Sequence, residues 1–378
     1  MENAAWRNKI RKARHEYVSD FIEIIWEADG ITQTELLQKL KMSTPTMLQY
    51  LKMFRDKGLL DESQYARSGG GRRPKLIRFA ADSHFSIGIR LQRAKYSIVL
   101  INMRGEVKYS HVLQTEFQNT AAYWQKMNEA CCAMCEELAV PDEKILGIGL
   151  AFPGVLRVDL NEIMYSAEIH ELDGIKFEEI EQYFTFPMIF ENEAAAAGYA
   201  EAWERHRGND VAYLMVEDGI QGALITKDGI ERGNRGLLGV FGHMVIHTGG
   251  PKCVCGRCGC LEVYCSTQVL KKMAGGSLKK FRSLLDKGEK QAKEAFREYV
   301  ENLRTGTENL RLILDADVVV GGELTETLGE YLKDYGLLAQ GERSETYVSY
   351  LSLACWGSIA SAVGVALQHN VAFFNSGF

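Results

Sequence analysis

The first eighty residues are a series of short amphipathic stretches separated by turn residues. Val18, Phe21, Ile22, Ile25 and Trp26 recur at helical spacing and predict a helix over about residues 14–28, which Asp29-Gly30 ends. In the following TQTELLQKL, Thr32 and Glu35 have capping-box spacing, and Leu36, Leu37 and Leu40 supply a buried face. Thr44 is placed to cap a third helix, with Pro45 in its first turn; this helix buries Met47, Leu51 and Phe54 and stops at Gly58. Three short helices with a tight turn between the second and third predict a helix-turn-helix. Leu59-Leu60 then begins a strand, KLIRF (75–79) forms another, and RSGGGRRP (67–74) joins them as a wing.

From residue 85 the pattern changes. FSIGIRLQRAKYSIVLINMRGEVKYSHVLQ reads as two or three strands with turns at Gln92-Arg93 and Met103-Arg104-Gly105. A long helix follows over about residues 120–138, then the apolar strand KILGIGLAFPG (144–154). PMIFENEAAAAGYAEAW (187–203) reads as strand into helix, and VAYLMVEDGIQGALITKDGI (211–230) as a strand hairpin. The C-terminal part is mainly helical, interrupted by the strand ADVVVGGEL (316–324). Strands alternating with helices predict an α/β body. The division expected is a DNA-binding module over 1–80 and a body over 81–378.

Composition narrows the setting. With 46% hydrophobic and 25% charged residues among 378, the chain reads as soluble and globular. It has no apolar run long enough to span a membrane, and its first residues lack the apolar core of a secretory signal. A cytoplasmic location is expected, where thiols stay reduced. Nine cysteines, an odd number, also disfavour a disulfide framework. Cys131, Cys132 and Cys135 lie in a helix-like stretch and read as small buried apolar residues.

Charge is unevenly spread. Residues 1–80 hold 15 Lys and Arg against 10 Asp and Glu, a net of +5. The whole chain is −6, so the remaining 298 residues carry −11. A basic module on an acidic body fits DNA as the partner of the first part. The third helix would enter the major groove. There Thr44, Thr46 and Gln49 lie off its buried face; Gln49 can pair with adenine and Leu48 can meet a thymine methyl. Lys52, with Arg72 and Arg73 of the wing, would meet phosphates or the minor groove, and Arg67 lies in the same loop.

KCVCGRCGC (252–260) places Cys253, Cys255, Cys258 and Cys260 within nine positions. Short glycine-containing spacings can present thiolates in a tetrahedron, so zinc is the expected occupant. Spacing alone allows an all-cysteine site.

GIGLAFPG, FENEAAAAG, GLLGVFGHM, CVCGRCGCLE and VVVGGEL occur in that order, and the chain resembles the ROK family of repressors, open reading frames and sugar kinases. With the winged helix in front, it resembles the family's transcription-regulator branch. The resemblance implies an actin/hexokinase-like, ribonuclease H-like body of two α/β lobes with a cleft between them. Lobe 1 would span about 81–192 plus the C-terminal helix, and lobe 2 about 193–354. It implies His243, Cys253, Cys255 and Cys260 as ligands of a structural Zn²⁺, with Cys258 a bystander, and assembly as dimers or tetramers.

The resemblance also exposes departures. The kinases' phosphate loop Asp-x-Gly-Gly-Thr is here Arg90-Leu91-Gln92-Arg93-Ala94, which lacks the glycines a backbone cradle needs. The base position of Glu-Asn-Asp is Glu193 in Glu191-Asn192-Glu193, and the sugar-binding glutamate of Gly-Glu-x-Gly-His is Val240. Asn192, Glu193, His243 and Glu262 remain as candidate effector contacts. The chain is therefore expected not to be an enzyme. The expected function is a regulator, a repressor of carbohydrate-metabolism genes, that binds an inverted-repeat operator and answers to a sugar-like effector. The alternatives are a sugar kinase and a body that only oligomerises.

Overall fold

The structure, a computed structural model, describes residues 16–66, 73–166, 168–205, 209–234, 236–338 and 350–376. Helix α1 (Glu16–Glu27) buries Phe21, Ile22 and Ile25. Helix α2 (Gln33–Leu40) starts at the expected capping box: Thr32 Oγ1 accepts from the Glu35 N–H at 3.3 Å, and the Glu35 carboxylate accepts from the Thr32 N–H at 2.8 Å. Helix α3 (Thr44–Asp56) buries Met47, Leu51 and Phe54. Its cap differs from the expectation. Ser43, not Thr44, has the extended backbone, and Ser43 Oγ accepts from the Thr46 N–H at 3.4 Å. Two hydroxyls are adjacent in sequence, and the one three residues before a free N–H takes the role.

The wing is short in regular structure. Strands β1 (Leu60–Asp61) and β2 (Arg78–Phe79) pair antiparallel, and single bridges join Ile31 to Ile77 and Tyr65 to Lys75. Arg67 and Arg72 lie outside the described residues; Arg73 is exposed.

The body begins with β3 (Phe85–Leu91), β4 (Lys95–Asn102) and β5 (Val107–Gln114), followed by α4 (Ala121–Glu137). Helix α4 buries Cys131 and Cys135 with Trp124 and Met127 in the first sheet's core, where they act as apolar filler. Strand β6 (Ile145–Phe152), the hairpin β7 (Val155–Arg157) and β8 (Glu162–Tyr165), the short α5 (Phe177–Glu181) and β9 (Met188–Asn192) complete this half. The first sheet runs β5-β4-β3-β6-β9. Helix α6 (Glu193–Arg205) leads to β10 (Val211–Val216), β11 (Ile220–Thr226) and β12 (Gly229–Glu231). Helices α7 (Leu261–Cys265), α8 (Thr267–Met273), α9 (Leu278–Asp286) and α10 (Lys290–Leu314) then precede β13 (Asp317–Gly321) and α11 (Glu323–Asp334). Strand β14 (Leu351–Leu353) and helix α12 (Ala360–Ser376) follow. The second sheet runs β12-β11-β10-β13-β14. The edge strand β14 has no counterpart in the sequence reading; three residues are too few to show a period.

The helix pair α6 and α12 lies between the sheets: α12 packs on β3, β4 and β6, and α6 on β10 and β11. The glycines of FSIGIRL and GIGL have a packing reason. A Cβ on Gly88 would stand 1.9 Å from the Ala362 carbonyl oxygen, and one on Gly149 would stand 2.6 Å from a Val365 methyl.

The winged helix shares a core with this layer. Trp26 of α1 meets Trp203 of α6 edge-on at 6.3 Å, and Phe79 meets Phe374 of α12 at 6.2 Å. Arg104 donates to the Trp26 carbonyl at 3.1 Å while its guanidinium lies over the Trp26 ring. Each such aromatic contact contributes about 1 kcal/mol beyond its buried area. Among the described residues, no helix is long and apolar enough to cross a membrane.

Candidate functional site

Two centres of chemistry adjoin each other. The first is the thiol loop. Gly256 (φ +87°) and Gly259 (φ +77°) turn the chain, and a Cβ on Gly259 would collide with the His247 carbonyl oxygen at 1.6 Å. The Cys253 N–H bonds the Arg257 carbonyl at 2.8 Å and closes the loop, and the Leu261 N–H bonds the Met244 carbonyl at 2.8 Å, which brings the end of the loop beside the turn Phe241–His243. His243 Nδ1 lies 3.5 Å from Cys253 Sγ, and Cys255 Sγ lies 3.7 Å from Cys260 Sγ. All four ligand atoms lie within 4.8 Å of one another. In a tetrahedron with Zn–S of about 2.3 Å and Zn–N of about 2.05 Å, the S···S edge is about 3.8 Å and the N···S edge about 3.5 Å. The donor set thus fits a soft divalent metal. Cys258 is exposed and lies outside the group. Burial, then the neighbouring thiols, lifts Cys260 to about 12, and burial raises Cys253; the Arg257 N–H lowers Cys255. A cation is what would let these thiols ionise together.

Glu262 ties this loop to the cleft. Its Oε1 lies 3.9 Å from Cys253 Sγ, and its Oε2 accepts from the Ile220 N–H at 3.0 Å. The residue after Ile220, Gln221 of β11, reaches the end of β9 and the start of α6. Gln221 Oε1 accepts from Asn192 Nδ2 at 3.2 Å, and Gln221 Nε2 donates to Glu193 Oε1 at 3.2 Å. Asn192 also donates to the Gly154 carbonyl at 2.8 Å, and its Oδ1 accepts from the Ala195 N–H at 3.0 Å, capping α6. The candidate contacts Asn192, Glu193 and Glu262 are thus held in fixed orientations. His243 turns Nδ1 to the thiols, which leaves Nε2 as its second donor or acceptor.

The other side of the cleft is an ion network. Arg90, near the end of β3, is 4% exposed. Its Nε donates to Glu193 Oε2 at 3.0 Å, and its Nη2 lies 2.8 Å from both oxygens of Glu217, just beyond β10. Burial opposes the charge on Arg90, but Glu193 and Glu217 outweigh it and raise its pKa. Burial raises Glu193 to about 7; Arg90 pulls it down, while Glu217 and Glu168 push it up. A second pair crosses the cleft: Arg232, after β12, donates to buried Glu191 of β9 at 2.9 and 2.6 Å. At the β3–β4 turn, Arg93 binds Glu171 through two 2.7 Å bonds and donates to the Glu168 carbonyl. Segment 90–94, read in sequence as a lost phosphate cradle, is thus a strand end and turn whose arginines are tied into the protein. The Gly321-Gly322 pair also has a packing role: a Cβ on Gly321 would stand 2.1 Å from the Tyr213 hydroxyl.

On α3, Thr44, Leu48, Gln49 and Lys52 are exposed along one side. Thr46 is half-buried and shares a 2.7 Å hydrogen bond with Ser43 Oγ, so its hydroxyl serves the helix cap.

A ROK family profile matches residues 86–367, and a winged helix-turn-helix DNA-binding profile matches residues 22–61. The chain belongs to the ROK family. The xylose repressor of Caldicellulosiruptor bescii is 24% identical over 322 residues, 79% of this chain and 81% of that protein. Among solved structures, a ROK family transcriptional regulator described as a homolog of the E. coli MLC protein aligns with a TM-score of 0.73 at 15% identity, covering 96% of both chains. The ROK hexokinase of Thermus thermophilus aligns with a TM-score of 0.60 at 24% identity, over 75% of this chain and 97% of its own. The fold is thus shared by ROK regulators and ROK kinases.

Three cleft residues of this ROK body, Glu217, Gln221 and Arg232, were not singled out in sequence. A signal existed for Glu217. Arg90, Asn192 and Glu217 all stand at the carboxyl ends of β3, β9 and β10, the edge of an α/β sheet where ligands are met. A charged residue directly after the apolar run VAYLMV marks that place.

Proposed function

We propose that this chain is a sugar-responsive transcriptional repressor and not an enzyme. Residues 1–80 are its DNA-binding module and 81–378 its sensing body. Helix α3 enters the major groove with Thr44 and Gln49 toward base edges, and Lys52, Arg72 and Arg73 meet phosphates. A homodimer of the chain takes an inverted-repeat operator. Asn192, Glu193, Glu262 and His243 Nε2 hold sugar hydroxyls, and binding shifts the lobes and the spacing of the two DNA-binding modules. The effector is a neutral sugar; the xylose repressor relative makes D-xylose the first candidate. Zn²⁺ held by His243, Cys253, Cys255 and Cys260 is structural, because four protein ligands leave it no open position.

One observation carries the reading against phosphoryl transfer: Glu193, at the family's base position, is bound to the buried Arg90. A guanidinium held by two carboxylates leaves no place for a phosphate group. Thermal unfolding in the presence of D-xylose, D-glucose and N-acetylmannosamine tests the sensing role. A sugar at a hundredfold excess over its Kd stabilises the fold by about 2.7 kcal/mol. A melting temperature unmoved by every sugar contradicts the reading and leaves the body an oligomerisation module.

A further inference from the structure

The cleft holds a cation of its own. Arg90 belongs to the first sheet and Glu217 follows β10 of the second, so the contact of Arg90 Nη2 with both Glu217 oxygens spans the two lobes. The same guanidinium binds Glu193, the first residue of α6. Helix α6 therefore has its first turn in the ion network and its last turn, at Trp203, against Trp26 of the winged helix. Its 13 residues span about 20 Å. Along its length it is braced by α12, where the Gly364 position touches the Ala196 carbonyl. A shift at Glu193 thus has a stiff path to the DNA-binding module.

We propose that Arg90 is a cross-cleft latch: by clamping Glu193 to Glu217 it holds the lobes in the DNA-binding arrangement, and the effector acts by drawing Glu193 away from it. The second half rests on the sugar-responsive reading; the first does not. Glu193 is the shared member because its carboxylate is held by Arg90 on one side and by Gln221, which also holds the candidate sugar contact Asn192, on the other. A neutral polyol suits this exchange. Its hydroxyls can donate to the Glu193 carboxylate, whereas a sugar phosphate would bring its charge against Glu193 and Glu217. The latch also separates affinity from response. A protein that must break it on binding shows a weakened apparent sugar affinity, and loss of the latch removes that penalty.

The test uses the full chain and DNA selected from a random library for tight binding. Glu217→Ala severs the arm to the end of β10 and leaves Arg90 paired with Glu193, so the buried charges stay balanced. Arg90→Met and Arg90→Lys serve as companions. Without any sugar, Glu217→Ala is expected to weaken DNA binding about fivefold or more. Arg90→Met does the same, and Arg90→Lys restores part of it. The Arg90→Met and Glu217→Ala effects are not additive, because both break one contact. Where the wild type responds to D-xylose, Arg90→Met, which frees Glu193, binds D-xylose more tightly, a change that simple damage to the fold does not produce. Near-wild-type melting and metal content certify that Glu217→Ala is folded. DNA affinity equal to wild type in folded Glu217→Ala overturns the latch and leaves the regulator reading standing. Absence of any sugar response in the wild type overturns that reading, while the sugar-free DNA arm still decides the latch.

Discussion

Gly364 of α12 lies so close to α6 that a Cβ built on it would stand 1.7 Å from the Ala196 carbonyl oxygen. The two helices cross backbone to backbone in the layer between the sheets. The obstacle is a main-chain carbonyl, which cannot rotate away as a side chain can.

Gly364→Ala is therefore expected to separate the helices and destabilise the body. Overpacking typically costs about 1–3 kcal/mol, and a backbone neighbour places this site at or above the upper end. Urea unfolding of the variant checks this; a stability equal to wild type would show that the α6–α12 crossing is softer than its geometry.

The thiol cluster gives a second outcome. Protein purified without chelator is expected to carry one zinc per chain. Cys255→Ser loses the metal and several degrees of melting temperature, while the exposed Cys258→Ser is mild. Elemental analysis with thermal unfolding reads both. Equal damage from the two variants would favour an all-cysteine site.

The buried Glu193 sets a pH dependence. Its pKa is raised from 4.5 to about 7, chiefly by burial, with Arg90, Glu217 and Glu168 acting on it. A carboxyl raised on folding contributes stability below the unfolded value, and that contribution is lost as pH rises through the folded one. Glu193→Gln is expected to flatten the fall of stability between about pH 4.5 and about pH 7. Some slope persists from Glu326, whose carboxyl burial also raises. An unchanged slope in urea titrations across this window would show that Glu193 stays ionised throughout.

On DNA, Gln49→Ala is expected to relax preference at one base pair, where a good bidentate contact discriminates by about 1–3 kcal/mol. Arg73→Ala should weaken all sequences alike and lower the salt slope by about 1. Binding to variant operators at several salt concentrations separates the two. A sequence-specific loss from Arg73→Ala would reassign it to base reading.

The parts legible in sequence were those with a local cause. The Thr32–Glu35 cap, the Met47–Leu51–Phe54 stripe and the glycine-spaced cysteines each state their structure within a few residues. Ser43 and Thr44 look alike as caps in sequence, because a cap is decided by which hydroxyl faces a free N–H, and composition does not distinguish neighbours. The pairing of Arg90 with Glu217 was hidden for another reason. The two residues are 127 positions apart, and their meeting depends on how two sheets face each other. In sequence Arg90 stands only where the kinases have an aspartate; the fold shows where its charge goes. Gln221 and Arg232 fall in the same class, as side chains on or beside one sheet whose partners, Asn192 and Glu191, belong to the other.

Sugar binding in a repressor of this kind releases DNA and transfers no phosphate. Both halves are read by fluorescence anisotropy of labelled operator DNA, titrated with the sugar that raises the melting temperature, in the presence and absence of ATP. The sugar is expected to lower operator occupancy, ATP to change nothing, and no ADP to form in the same samples. Operator binding indifferent to the sugar, together with sugar-dependent ADP formation that Glu193→Gln abolishes, would contradict it.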